Sequence, residues 1–254
     1  MAPPKTARLI AAKSLGSHAR WLEFECVEPA ALGFVGGQYV IVDTGLPLPS
    51  GKVAKRAYSI LSPDVHQGRF EIVARRLGEG PGSNYLHHLE LGSTLTFSGP
   101  WGKFVPDPGA APNEKTLVVA TDTGVTAALG LFGASSFAPS RARATLLWLS
   151  PSPDDFVDES FVRSRAAADG AEVRIATVPR VGHPERIGAG LEQFEAAFGQ
   201  TGPERVYLAG DGALLYPFAD VLAKNAVSPS QVFLECFFNN PAKKIGVSSV
   251  GGAT

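Results

Sequence analysis

The chain has 254 residues, 44% of them apolar, and a formal net charge of −1. This is enough for two ordinary hydrophobic cores, and it lacks the basic surplus that a nucleic-acid partner needs. Cys26 and Cys236 are the only cysteines, too few for the four ligands of an iron–sulfur cluster. They are expected as two buried thiols, with a disulfide between them the alternative and no metal site.

Met1 to Arg20 lacks the apolar core and cleavage-like end of a signal peptide. Trp21-Leu-Glu-Phe-Glu-Cys-Val27 alternates with period two, as a half-buried strand does. Tyr39–Val42, Ala57–Ile60, Arg69–Arg75 and Thr94–Phe97 continue that grammar, separated by Gly, Pro or Asp. Short strands at this spacing predict a small antiparallel β-barrel. One helix is expected inside it, from Ser83 to Leu89 with Ser83 as its N-cap.

Pro106-Asp-Pro-Gly-Ala-Ala-Pro112 reads as a linker, dividing the chain into domains over 1–107 and 113–254. Beyond it, apolar runs at Thr116–Ala120, Ala144–Leu149, Glu172–Val178, Arg205–Ala209 and Gln231–Phe237 alternate with helical segments. Those segments lie near Thr126–Phe132, Ser160–Ala168, Gly190–Phe198 and Ala213–Lys224. The alternation predicts an α/β doubly wound parallel sheet with helices on both faces, which binds ligands beyond the carboxyl ends of its strands. The longest apolar stretch, Leu117 to Phe137, is broken by Asp122 and Gly124 and fails as a membrane span. A cytoplasmic protein without membrane contact is expected.

Arg56-Ala57-Tyr58-Ser59 ends a predicted strand, and Arg75 and then Gly80-Pro81-Gly82-Ser83 follow. Together they supply an aromatic face, two guanidinium groups and a turn of free N–H groups, which suit a flat ring system joined to a pyrophosphate. The glycines allow close backbone approach, and a helix starting there aims its positive end at the phosphates.

In this order and spacing the motifs resemble the FAD site of the ferredoxin–NADP reductase superfamily, as does Gly99-Pro-Trp-Gly102-Lys-Phe104. The resemblance covers nearly the whole chain. It implies FAD contacts at Arg56, Ala57, Tyr58, Ser59, Ile72, Ala74, Arg75, Gly80, Pro81, Gly82 and Ser83. It places Ser59 near the reactive nitrogen of the flavin and Glu235 near the reacting edge, helping to position nicotinamide or manage protons. Phe237 would cover the ring face opposite Tyr58, with Phe238 in reserve.

The nucleotide motifs depart from the family pattern. Asp122-Thr123-Gly124-Val125 carries Asp122 for a Gly, and Ala127 stands for a Pro. Ala209-Gly210-Asp211 carries Ala209 for a Cys and Asp211 for a Pro. Thr123, Gly124, Gly210 and Asp211 are the candidate nicotinamide contacts. A 2′-phosphate wants Arg or Lys, which Arg180 and Arg186 supply, whereas Asp154 and Asp155 are unfavourable to it. NADP(H) is therefore expected, with NAD(H) open.

The resemblance implies a reductase passing electrons between NAD(P)H and ferredoxin or flavodoxin on a separate chain, acting as a monomer. Lys52, Lys55, Arg75 and Arg76 are candidates for docking that carrier. The alternatives are the reductase component of an oxygenase, or an electron-transfer subunit with an unreactive nicotinamide site.

Overall fold

The computed structural model describes residues 4–241 apart from 16–17, 77, 79–80, 113, 153–154 and 168–169, with only the backbone described for 81–83. Its first sheet comprises β1 (Lys5–Leu15), β2 (Ala19–Glu28), β3 (Tyr39–Pro47), β4 (Val53–Ser59), β5 (Arg69–Arg75) and β6 (Thr94–Trp101). The order is β4-β3-β6-β1-β2-β5, and every neighbouring pair is antiparallel. The sheet curls until its edges meet just past β4, where the Leu61 N–H donates to the Glu71 carbonyl at 2.8 Å. Alternation sends Leu22 and Phe24 inward with Phe70 and Phe97, whose rings stack in a continuous core.

The sequence reading did not anticipate β1. Register shifts between Thr6 and Ala7 and between Leu9 and Ala11 break its period-two pattern. The helix α1 spans Pro81–His88, so Ser83 lies within its first turn and is not its N-cap. Proline's fixed φ suits the first helical position, which explains the earlier start.

The second sheet contains β7 (Thr116–Thr121), β8 (Ala144–Ser150), β9 (Glu172–Thr177), β10 (Arg205–Asp211) and β11 (Val232–Phe238), all parallel, in the order β11-β10-β7-β8-β9. The intervening helices are α2 (Val125–Phe132), α3 (Glu159–Ala166), α4 (Arg186–Thr201) and α5 (Gly212–Lys224). Val118, Ala120, Leu146 and Trp148 face α2 and α3. Leu117, Val119, Leu147 and Leu149 face α4 and α5. The central strands are thus apolar on both sides, the usual composition of a covered parallel sheet. Strand order reverses between β7 and β10, which makes their carboxyl ends the switch point.

The two halves share one core. Leu15, Ala19, Leu61, Val73 and Phe104 of the barrel side pack in the same buried cluster as α2 and α3. The approach is close: a Cβ on Gly130 would lie 2.3 Å from the Ile60 carbonyl oxygen, and one on Gly36 2.2 Å from the Gly130 carbonyl oxygen. Asp64 bridges the seam by accepting from Gly36 N–H and Ser135 N–H. Glu71 does so by accepting from the Trp21 indole and Arg165. Among the described residues, no helix is long and apolar enough to cross a membrane.

Candidate functional site

The strand β4 forms one edge of its sheet, and it presents Arg56 and Ala57 exposed, Tyr58 half-buried and Ser59 buried. Tyr58 sits opposite Val40 and packs on the barrel core. Burial pushes its phenol up to about 12, so it offers a neutral aromatic face. The Arg56 side chain donates to the Lys55 carbonyl at 2.8 Å while Lys55 pairs with Asp43, leaving the Arg56 fork exposed. Gly80 lies outside the described residues. Pro81, Gly82 and Ser83 form the first turn of α1, whose leading N–H groups have no partner within the helix.

Three of the expected contacts lie on β5. Ile72 and Ala74 are fully buried in the barrel core, because their alternation points them inward, so their side chains are closed to a ligand. Arg75 is engaged by Asp155 at 2.7 Å across the seam.

At the junction of the two halves, Glu235 on β11 meets the barrel. Its carboxylate accepts from the Phe104 N–H, and burial pushes its pKa above the usual carboxylate range. Gly102, at φ +104, lies beside it. A Cβ there would be 3.1 Å from the Tyr39 ring and 3.4 Å from Glu235 Oε2, so only glycine fits without displacing either. Burial and the nearby Glu235 raise the Tyr39 phenol as well. Tyr39 also pairs across the sheet with Ser59. It was missed from sequence because an aromatic opening a strand reads as core. Gly102, quoted only as part of a barrel-closing motif, was the available signal.

The ladder between β10 and β11 slips at its carboxyl end: Gly210 pairs with Cys236 but Asp211 pairs with Phe238. Phe237 is the extra residue of this bulge and is 37% exposed, whereas Phe238 is half-buried. No disulfide joins Cys26, which is buried as expected, to Cys236, which is only half-buried.

The nucleotide edge differs most from expectation. Arg186, expected to read a phosphate, is 3% exposed. It donates to Asp122 Oδ2 at 2.5 Å, to Asp211 Oδ2 at 3.2 Å and to the Pro179 carbonyl at 2.6 Å. Asp211, expected to touch nicotinamide, is fully buried and caps α5 by accepting from Ala213 N–H. It also accepts from Asn239 Nδ2. Both residues are therefore corrected from ligand contacts to an internal ion network, since a buried charge must be paired.

Asp122 sits at φ 51, in the left-handed region that favours glycine. Its carbonyl accepts from the buried Trp148 indole, and its carboxylate turns away from solvent into Arg186. Burial raises the Asp122 pKa, with Arg186 opposing the shift. Gly124 and Gly210 are buried by close packing: a Cβ would meet the Ala209 carbonyl oxygen at 2.2 Å and Thr121 Oγ1 at 2.3 Å respectively. Thr123 is half-buried between them, and Arg180 is exposed past the end of β9.

Residues 6–105 match the family model of an oxidoreductase FAD-binding domain. The chain is also similar to ferredoxin–NADP reductase B of Sorangium cellulosum, at 42% identity over 157 residues. The chain thus carries an oxidoreductase FAD-binding domain over residues 6–105 and resembles ferredoxin–NADP reductases. The match to the Sorangium protein covers 61% of this chain and 62% of that protein, less than two thirds of its length. Among solved structures, the ferredoxin reductase in carbazole 1,9a-dioxygenase superposes with a TM-score of 0.73 at 24% identity, over 93% of this chain and 68% of the other. The cytochrome b5 reductase domain of Ulva prolifera nitrate reductase gives 0.71 at 20% identity, over 92% and 97%. These structures share the two-part fold.

The residues present fit FAD. An exposed guanidinium, a desolvated aromatic and a helix start succeed one another along the barrel edge. Asn84, in α1, carries a buried Oδ1 without a partner among the described residues. It lines a cavity of about 420 Å³ with Leu46, Tyr85 and His88. An acceptor left unpaired beside open volume is suited to a polar ligand group.

Proposed function

We propose that the protein is a flavoprotein oxidoreductase that moves electrons between NAD(P)H and a one-electron carrier, such as ferredoxin or flavodoxin on a separate chain, as a cytoplasmic monomer. Residues 1–107 form the flavin unit and 113–254 the nucleotide unit. The carrying observation is that Tyr39, which pairs with Ser59 at the end of the Arg56–Ser59 edge, lies beside Glu235 and Gly102 at the junction of the two sheets. FAD, when bound, supplies the exchange between paired and single electrons. Arg56 and the first turn of α1 hold its pyrophosphate by charge-assisted bonds. Tyr58 stacks on the ring, and Phe237, turned outward by its bulge, shields the other face. Ser59 and Glu235 flank the reacting edge, where the raised pKa of Glu235 lets it keep or surrender a proton without leaving its Phe104 anchor.

Thr123 faces the nucleotide at the switch point, and Arg180 reads a 2′-phosphate, favouring NADP(H) over NAD(H). Asp122 and Asp211 are both paired by Arg186. That supports a maintained nucleotide edge over an unreactive subunit. Lys52 and Arg76 are exposed for an acidic carrier, whereas Lys55 and Arg75 are engaged by Asp43 and Asp155.

The test is anaerobic reduction of the yellow protein by each nucleotide in stopped flow, with NADPH the faster. Arg180→Ala raises KM for NADPH by about tenfold or more, the scale of a charge-assisted bond, and leaves NADH unchanged. Bound flavin that neither nucleotide bleaches would refute the reading.

A further inference from the structure

Three loops make up the nucleotide edge, and one side chain touches all of them. Asp122 opens the turn after β7, Asp211 closes β10 as the cap of α5, and Pro179 lies near the start of the loop after β9. Arg186 donates to each of the three. The fan suits a planar guanidinium, whose donors diverge at fixed angles, and not an ammonium.

The loop between β9 and α4 is small and closed on itself. His183 N–H donates to the Arg180 carbonyl at 3.0 Å, and Arg186 N–H to the His183 carbonyl at 3.2 Å. The Arg186 side chain then reaches back to the Pro179 carbonyl. Arg180 is therefore carried by a loop whose far end grips its near end, and the grip is locked to the other two loops by two buried carboxylates.

We propose that Arg186 is a positioning residue: it presents Arg180 to the nucleotide's 2′-phosphate by clamping the loop after β9 to Asp122 and Asp211, and makes no contact with the nucleotide itself. This rests on the reading of Arg180 as the phosphate-binding residue. A residue acting through Arg180 loses its effect once Arg180 is gone, whereas one that acts separately adds to it.

The experiment is a double-mutant cycle on the full-length, flavin-loaded protein. Binding of 2′,5′-ADP and of 5′-AMP is measured by calorimetry at fixed salt for wild type, Arg186→Lys, Arg180→Ala and the double variant. Lys keeps the charge, but its donors sit on one atom and cannot span the three acceptors as the guanidinium fork does. The expected result is a loss of about tenfold in 2′,5′-ADP affinity for Arg186→Lys, within the range for neighbours in one network. In the Arg180→Ala background the same change costs less than about twofold, and 5′-AMP affinity moves little in either.

Equal losses in both backgrounds, or unchanged 2′,5′-ADP affinity in Arg186→Lys, overturn the clamp and leave the function standing. A wild-type protein that holds FAD but binds 2′,5′-ADP no better than 5′-AMP overturns the 2′-phosphate reading and the clamp with it. Should Arg186→Lys fail to fold, Asp122→Gly runs through the same cycle, since glycine tolerates the φ of 51 at that position. The same two patterns then decide.

Discussion

Burial acts on Tyr58 and Glu235 in the same direction, and in both it favours the protonated side chain. For Tyr58 the result is an uncharged ring suited to stacking. Tyr58→Phe should retain FAD as wild type does, whereas Tyr58→Ala should weaken it by about tenfold, the scale of an aromatic contact; fluorescence titration of flavin into the stripped protein checks both. For Glu235 the raised pKa has a thermodynamic consequence. A carboxyl raised in the folded state stabilises the fold while protonated, fully so below its ordinary value of 4.5, and that contribution fades as pH climbs through the folded value. Gln mimics the protonated form at every pH and still accepts from Phe104. Glu235→Gln should therefore match wild type in Tm near about pH 4 and exceed it increasingly toward about pH 7. A gap that stays constant across that range would mean Glu235 titrates normally. The placement of Arg56 and Tyr58 on one strand was legible in sequence because it is a short-range property of that strand. The fate of Arg186 was not, since its three acceptors come from loops up to 64 positions away and an arginine between Glu185 and Ile187 reads as solvated.

At the scale of elements, the helices of the second half depend on local caps to different degrees. Asp158 caps α3 by accepting from the Phe161 N–H at 2.7 Å and from the Ser160 hydroxyl, and both bonds lower its pKa. Asp158→Ala should cost about 1 kcal/mol of stability, with Asp158→Asn costing less, measured by chemical denaturation at neutral pH. By contrast, Glu185, in the same position before α4, makes no side-chain capping bond. The absence of a capping signal is why α4 was expected to start at Gly190 and not at Arg186. Periodicity revealed the parallel strands because each is apolar on both faces, and it revealed β2 because its alternation is unbroken. It failed for β1, where two irregularities shift the inward-facing positions. Elements whose pattern is self-contained were readable, and those whose register is set by a partner strand were not.

Taken whole, the molecule is held together by contacts that neither half makes alone. Asp64, Glu71 and the glycines Gly36 and Gly130 were unremarked in the sequence, because a residue that serves a seam carries no periodic signature of its own. Gly130→Ala drives a methyl group to 2.3 Å from the Ile60 carbonyl oxygen, so the helix must lift from the barrel. The expected cost is about 2 kcal/mol or more, comparable to overpacking a core, and calorimetry should show the single transition of the parent broaden or split. The seam also binds the mechanics of catalysis to the fold. Since Leu61 and Val73 of the barrel are covered by the same cluster as Phe132 and Trp148, opening the junction would wet an oily surface. The two lobes then have no inexpensive hinge, and turnover must proceed by movement of exposed side chains while the lobes themselves stay docked.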